Sequence, residues 1–297
     1  MRRAAFLAPL AALAASTPPA LCQTTGGSQS AADAVTLTGR GQQTATLNGV
    51  PIQLFTYRPG GCAISSILLV FHGMSRDAGP YRDHATPLGQ RFCMLVVAPY
   101  FDAARFPAWR YQRGGIVRHG GVQPEADWTV DFVPAIAAWA RKEEGRPNLP
   151  YVLIGHSGGA QFLSRVAAFG RSGALRIIIA NPSTWVEPTL NVMAPYGFGG
   201  VYEPAEGEAA LRRYLAAPIV ILLGRKDTGS HELAMSEQAQ KQGANRLDRG
   251  RKTFRKAELV AREHGWAFNW RLAVVPGVGH SASGMFTSKA AFDALQR

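Results

Sequence analysis

Seven short runs of aliphatic and aromatic residues, separated by stretches with helical periodicity, constrain this chain more than anything else in its sequence. The runs are Ile52 to Tyr57, Ser66 to Phe71, Met94 to Ala98, Tyr151 to Gly155, Arg176 to Ala180, Pro218 to Leu223 and Asn269 to Val275. Several of them, such as YVLI at 151–154 and IIIA at 177–180, show no alternation of polar and apolar positions. A strand of that kind is buried on both faces, which a parallel sheet covered by helices on each side provides. The expected fold class is therefore α/β, with a mostly parallel central sheet and helices on both faces. Asn48-Gly49, between Thr44 to Leu47 and Ile52 to Tyr57, is a strong signal for an antiparallel hairpin at the start.

Apolar residues recur at helical spacing over Glu125 to Glu144, where Pro134 is expected to kink or break the helix, and over Gly159 to Phe169. Further helices are expected at His231 to Gln242, Lys252 to His264 and Ser288 to Gln296. No internal repeat and no composition shift after Ala34 marks a second domain, so 35–297 is read as one α/β domain. Two connections are long. Arg113 to Gln123 is Gly-rich, and Asn181 to Ala217 carries Trp185, Tyr196, Phe198 and Tyr202 in irregular sequence. The second is read as a small cap over a cleft, because aromatic residues in an irregular loop need a surface to pack on. An ordinary surface loop is the other reading.

Residues 1–22 follow the pattern of a secretory signal peptide: Arg2 and Arg3, an apolar stretch from Ala4 to Ala15, then small residues at Ala20 and Cys22. Residues 23–34, QTTGGSQSAADA, read as a polar linker. No stretch reaches 18 consecutive apolar residues, so no membrane span is expected. Loss of the leader leaves two of the 3 cysteines, Cys62 and Cys93, in a compartment where disulfides persist. Each stands just before a strand run. If those strands are parallel neighbours the thiols come within bridging distance, and the closed loop would contribute roughly 3 to 4 kcal/mol. Two separate buried thiols are the alternative.

Lys+Arg 32 against Asp+Glu 20 gives a net charge of +12, which becomes +10 when Arg2 and Arg3 leave with the leader. Such a charge raises the question of nucleic acid. The one dense basic run is Arg246 to Lys256, and no zinc-finger spacing or aromatic-interleaved basic stripe accompanies it. It reads as a solvated helix or loop face, and no nucleic-acid partner is expected. No H-E-x-x-H, no C-x-x-C pair and no phosphate-binding glycine loop is present, so no metal and no cofactor is expected.

The sharpest local signal is Gly155-His156-Ser157-Gly158-Gly159, a G-x-S-x-G set directly after the strand YVLI and directly before a helical segment. A serine on so tight a turn must adopt strained backbone angles, and the flanking glycines remove Cβ atoms that would clash. The helix N-terminus then offers free N–H groups beside the hydroxyl.

With these residues in place the chain resembles the α/β-hydrolase family from about residue 44 to its end. That family carries its acid after a late strand and its histidine after the last strand. Here Ile219 to Leu223 leads into Gly224-Arg225-Lys226-Asp227, and Arg271 to Pro276 leads into Gly277-Val278-Gly279-His280. The resemblance implies a triad of Ser157, Asp227 and His280. It also implies, from Phe71-His72-Gly73-Met74, an oxyanion hole made of the Met74 and Gly158 backbone amides. The chemistry has a direct reason. A serine hydroxyl is a poor nucleophile near neutral pH, so a histidine must take its proton and a carboxylate must orient the imidazolium. The 53 positions between Asp227 and His280 leave room for two helices, more than the family pattern suggests, and Asp102 is the second candidate acid. Ser281 and Ser283 read as helix-capping or loop serines, and His72 as a residue that stiffens its loop.

The leader pattern and the resemblance together imply an exported serine hydrolase acting on a small or polymeric carboxylic ester through an acyl-enzyme. A reading from a different class is a secreted module of the same fold that binds anionic partners through its basic surface without catalysis.

Overall fold

The structure, a computed structural model, describes residues 37–296. The leader and linker expected at 1–22 and 23–34 lie outside the described residues. Among the described residues ten strands occur in chain order: β1 Gly39–Leu47, β2 Val50–Arg58, β3 Ser66–Phe71, β4 Met94–Tyr100, β5 Val117–Arg118, β6 Gly121–Val122, β7 Tyr151–His156, β8 Arg176–Ala180, β9 Ile219–Gly224 and β10 Arg271–Val275. Eight of these make one sheet in the order β1-β2-β4-β3-β7-β8-β9-β10, and β5 pairs with β6 as a separate small ribbon. The β1–β2 and β2–β4 pairs are antiparallel and the rest of the large sheet is parallel. At the β1–β2 turn, Asn48 and Gly49 both have positive φ, 47° and 75°, the geometry that such a two-residue hairpin requires.

Among the described residues eight α-helices cover the sheet: α1 Ala78–Phe92, α2 Phe132–Glu143, α3 Gly158–Phe169, α4 Pro204–Ala216, α5 Glu237–Gln242, α6 Arg246–His264, α7 Ala282–Phe286 and α8 Lys289–Gln296. The period of two along each strand divides the core. Ile67, Leu69, Leu153, Ile177, Ile179 and Ile221 face a cluster built with α2, α3, α4 and α6. Leu68, Val70, Ile154, Ile178, Val220 and Leu222 face the other, with α1, α7 and α8. The non-alternating strand sequences are thereby explained, since both faces of the sheet are dry.

Several elements differ from expectation. Helix α1 has no counterpart among the expected helices, because Pro87 and two glycines interrupt its pattern. One of these, Gly89, is forced by packing, as a Cβ there would lie 2.6 Å from Val96 Cγ2. The helix expected from Glu125 begins only at Phe132, after two 3-10 turns, and Pro134 falls in its first turn, where no N–H is missed. The helix expected from His231 is confined to α5, capped by Ser236. Helix α6 starts six residues earlier than expected, where Asn245 Oδ1 accepts the Asp248 N–H at 2.9 Å. A helix does start immediately after Ser281, whose Oγ accepts the Gly284 N–H at 3.1 Å.

The expected bridge is present: Cys62 and Cys93 are joined with Cα atoms 6.0 Å apart, just before the parallel pair β3 and β4. Segment 181–203 is packed down rather than free. Trp185 and Phe198 are fully buried, and the buried Arg165 of α3 donates to Thr184 O at 3.0 Å and Pro195 O at 3.0 Å. Among the described residues no helix is long and apolar enough to cross a membrane.

Candidate active site

The strands β3, β7, β9 and β10 run parallel, so their carboxyl ends open on one side of the sheet, where open α/β folds place their ligand crevice. Met74, Ser157, Gly158, Asp227 and His280 lie just beyond those four ends, and Asp102 follows β4 instead.

Strand β7 ends at His156 and α3 begins at Gly158, so Ser157 alone makes the turn. Its φ of 55° and ψ of −115° are costly for a residue with a Cβ, by about 1–3 kcal/mol. The backbone here passes so close to its neighbours that only glycine fits on either side. A Cβ on Gly159 would lie 2.1 Å from Phe71 O, and one on Gly155 would lie 2.7 Å from the Gly159 carbonyl carbon. The Ser157 N–H donates to Ala180 O at 3.0 Å and fastens the turn to β8.

His280 follows β10 and Asp227 follows β9. His280 Nε2 lies 2.9 Å from Ser157 Oγ, and His280 Nδ1 lies 2.7 Å from Asp227 Oδ2. With the carboxylate ionised, Nδ1–H donates to it and Nε2 is left to accept the serine proton. The two loops are locked to each other. Lys226 N–H donates to Val278 O at 2.9 Å, and a Cβ on Gly224 would lie 2.7 Å from Val278 O. The buried Asn181 bridges them, accepting the Gly224 N–H at 2.8 Å and donating to Gly279 O at 3.2 Å.

The His-Gly loop after β3 is equally fixed. His72 is buried between Phe101 N–H, which donates to Nε2 at 3.1 Å, and Gly73 O, 2.9 Å from Nδ1. Burial holds its pKa at about 4, with the Gly73 carbonyl opposing that shift. It is thus a neutral strut with both nitrogens engaged. The Tyr111 hydroxyl donates to His72 O at 2.8 Å from the opposite side. A Cβ on Gly158 would lie 3.2 Å from Met74 N, so the two amides expected to form an oxyanion hole are neighbours. Gly158 opens α3, and its N–H has no partner within the helix.

Two charged contacts were not legible in the sequence. Arg246, from the run expected to be a solvated face, is 1% exposed, with Nη1 3.5 Å from Asp227 Oδ1 and Nη2 donating to His231 O at 2.8 Å. Arg249 from the same run is also buried, donating to Ser183 O at 2.6 Å. Of the run, Lys252, Arg255 and Lys256 are exposed. His156 lies against His280, with ring centroids 4.5 Å apart and the planes tilted by 40°. Burial first, then the neighbouring His280 and Arg246, push its pKa well below the usual histidine value. Asp102, the second candidate acid, spends both oxygens on Arg105, at 2.9 Å and 2.6 Å, and takes no part in this cluster. Among the described residues no group of three or more His, Cys, Asp or Glu could hold a metal ion.

No family model and no curated protein matches the chain. Solved structures do match. The chain is similar to LpqC, a poly(3-hydroxybutyrate) depolymerase from Bordetella parapertussis, at 31% identity over 89% of this chain and 93% of that one, with a TM-score of 0.81. It is similar to poly(aspartic acid) hydrolase-1 from Sphingomonas sp. KT-1 at 30% identity over 87% and 98%, with a TM-score of 0.79. The siderophore hydrolase EstA from Aspergillus nidulans shares the fold alone, at 16% identity over 88% and 96% and a TM-score of 0.51. Identity at this level across nearly the whole of two hydrolases, together with the sheet order and the elbow after β7, places the chain in a family: it belongs to the α/β-hydrolases and is a hydrolase.

Proposed function

We propose that the chain is an exported serine hydrolase that cleaves a carboxylic ester through an acyl-enzyme on Ser157. The observation that carries this reading is the unbroken relay from Ser157 Oγ through His280 to the buried Asp227, at 2.9 Å and 2.7 Å. In the forward step His280 Nε2 takes the Ser157 proton as Oγ adds to the ester carbonyl carbon. Asp227 keeps Nδ1–H in place and stabilises the imidazolium. The Met74 and Gly158 amides receive the oxyanion. Collapse breaks the bond to the alcohol oxygen, which leaves with the proton from His280. Water then gives a proton to His280 and attacks the acyl carbon, and the serine and a free acid are released.

The two similar proteins named for polymers, one an ester and one an amide, support a polymeric substrate, and the ester is chosen over the amide because esters are the commoner substrates of this fold family, not because of any residue here. The expected organisation is a signal peptide at 1–22, a linker at 23–34 and one catalytic domain at 35–297. The test is a panel of p-nitrophenyl esters of graded acyl length. Turnover is expected to fall by about 10³–10⁴-fold in Asp227→Asn with little change in KM. Equal turnover in the variant would remove Asp227 from the reaction.

A further inference from the structure

Gln112 lies in the irregular segment between β4 and β5 and is 7% exposed. Its neighbours hold it rigidly. Tyr111 is fully buried and stacks on both Phe101 and Phe162, with centroids 5.1 Å and 5.3 Å apart. Gly114 and Gly115 follow at φ 75° and 77° and turn the chain back, their amides donating to Tyr111 O and Trp109 O.

This geometry brings the glutamine to the two amides assigned to the oxyanion. A Cβ built on Gly158 would meet Met74 N at 3.2 Å and Gln112 Cγ at 3.5 Å. The carbon carrying the side-chain amide is bonded to that Cγ, so the Gln112 side chain borders both backbone amides. Other buried polar groups of the same wall are satisfied by protein: His72 by Phe101 and Gly73, Tyr111 by His72, and Gln161 by Thr184. The Gln112 side-chain amide takes no protein partner among the described residues, and neither of its polar atoms is sealed from solvent. The side chain is thus nearly buried beside the two backbone amides, with its polar end free to take a partner from outside the protein.

We propose that Gln112 is a third donor of the oxyanion pocket, its side-chain N–H reaching the oxygen that the Met74 and Gly158 amides also receive. The proposal rests on Ser157 being the nucleophile. As the carbonyl oxygen gains charge, a fixed neutral donor stabilises it more than it stabilises the planar ester, so the effect falls on kcat rather than on KM.

The experiment compares the wild type with Gln112→Met, which keeps the length and removes the donor, and Gln112→Glu, which replaces the donor with a charged acceptor. Each is assayed for ester turnover and for affinity toward an aryl trifluoromethyl ketone, whose serine adduct carries an oxyanion. The Met variant is expected to lose about ten- to hundredfold in kcat with KM nearly unchanged, and the same factor in ketone affinity. The Glu variant is expected to lose more of both, and it decides the matter if the Met variant does not fold. Wild-type kcat and ketone affinity in the variants would overturn the proposal, as would a kcat loss with no matching loss of ketone affinity. A wild type that forms no ketone adduct would instead overturn the assignment of Ser157 itself, and this proposal with it.

Discussion

Ser157 carries a conformational cost for which the proposed nucleophilic role accounts. A residue with a Cβ at φ 55° and ψ −115° is destabilising, and glycine relieves most of that strain. Ser157→Gly is therefore expected to unfold at higher urea than Ser157→Ala, by about 1 kcal/mol, although both lack turnover. Equal midpoints would mean that the turn is not strained. At this scale much was legible. The elbow was visible because its chemistry needs glycines in fixed places, and Asp227 and His280 because each follows a strand run. Gln112, Asn181 and Arg246 belong to no motif. Their roles come from contacts across 43 to 98 positions for Asn181 and 19 for Arg246, which a linear pattern does not encode.

Strand elements were the most legible because continuous aliphatic runs have few other destinations, and the parallel neighbours β3 and β4 brought the two cysteines together as their positions suggested. Helices were less so. Helix α1 was hidden by Pro87, and the start of α6 by a run of charges that reads as a water-facing surface. That start also supports the site, because Arg246 and Arg249 turn inward and Arg246 faces the far oxygen of Asp227. The 53 positions between Asp227 and His280 thus include a helix that returns to hold the acid. Removing one member of a buried ion pair leaves the other uncompensated. Arg246→Met is expected to lower the unfolding free energy by about 3 kcal/mol in urea titration and to reduce turnover through displacement of Asp227. A variant as stable and as active as the wild type would show that α6 does not support the site.

Across the whole molecule, the buried histidines tie stability to pH. His72 has a pKa near 4 in the folded protein against 6.5 when free, the shift arising chiefly from burial, and His156 is shifted in the same direction. The unfolded chain therefore binds more protons between these values, and stability is full above about pH 6.5 and is lost as pH falls toward 4. For His72 alone the loss is on the order of 3 kcal/mol. The melting temperature should fall steadily from about pH 7 to about pH 4, and a flat profile would contradict the buried neutral state. The net charge that first suggested an anionic partner belongs in part to arginines that hold the interior together. In the proposed function, folding brings four strand ends together to activate one serine, and labelling with a fluorophosphonate probe tests that directly. Folded protein should carry one adduct, on Ser157, absent in Ser157→Ala and absent after denaturation in urea. No adduct on the folded wild type, or an adduct on another serine, would contradict it.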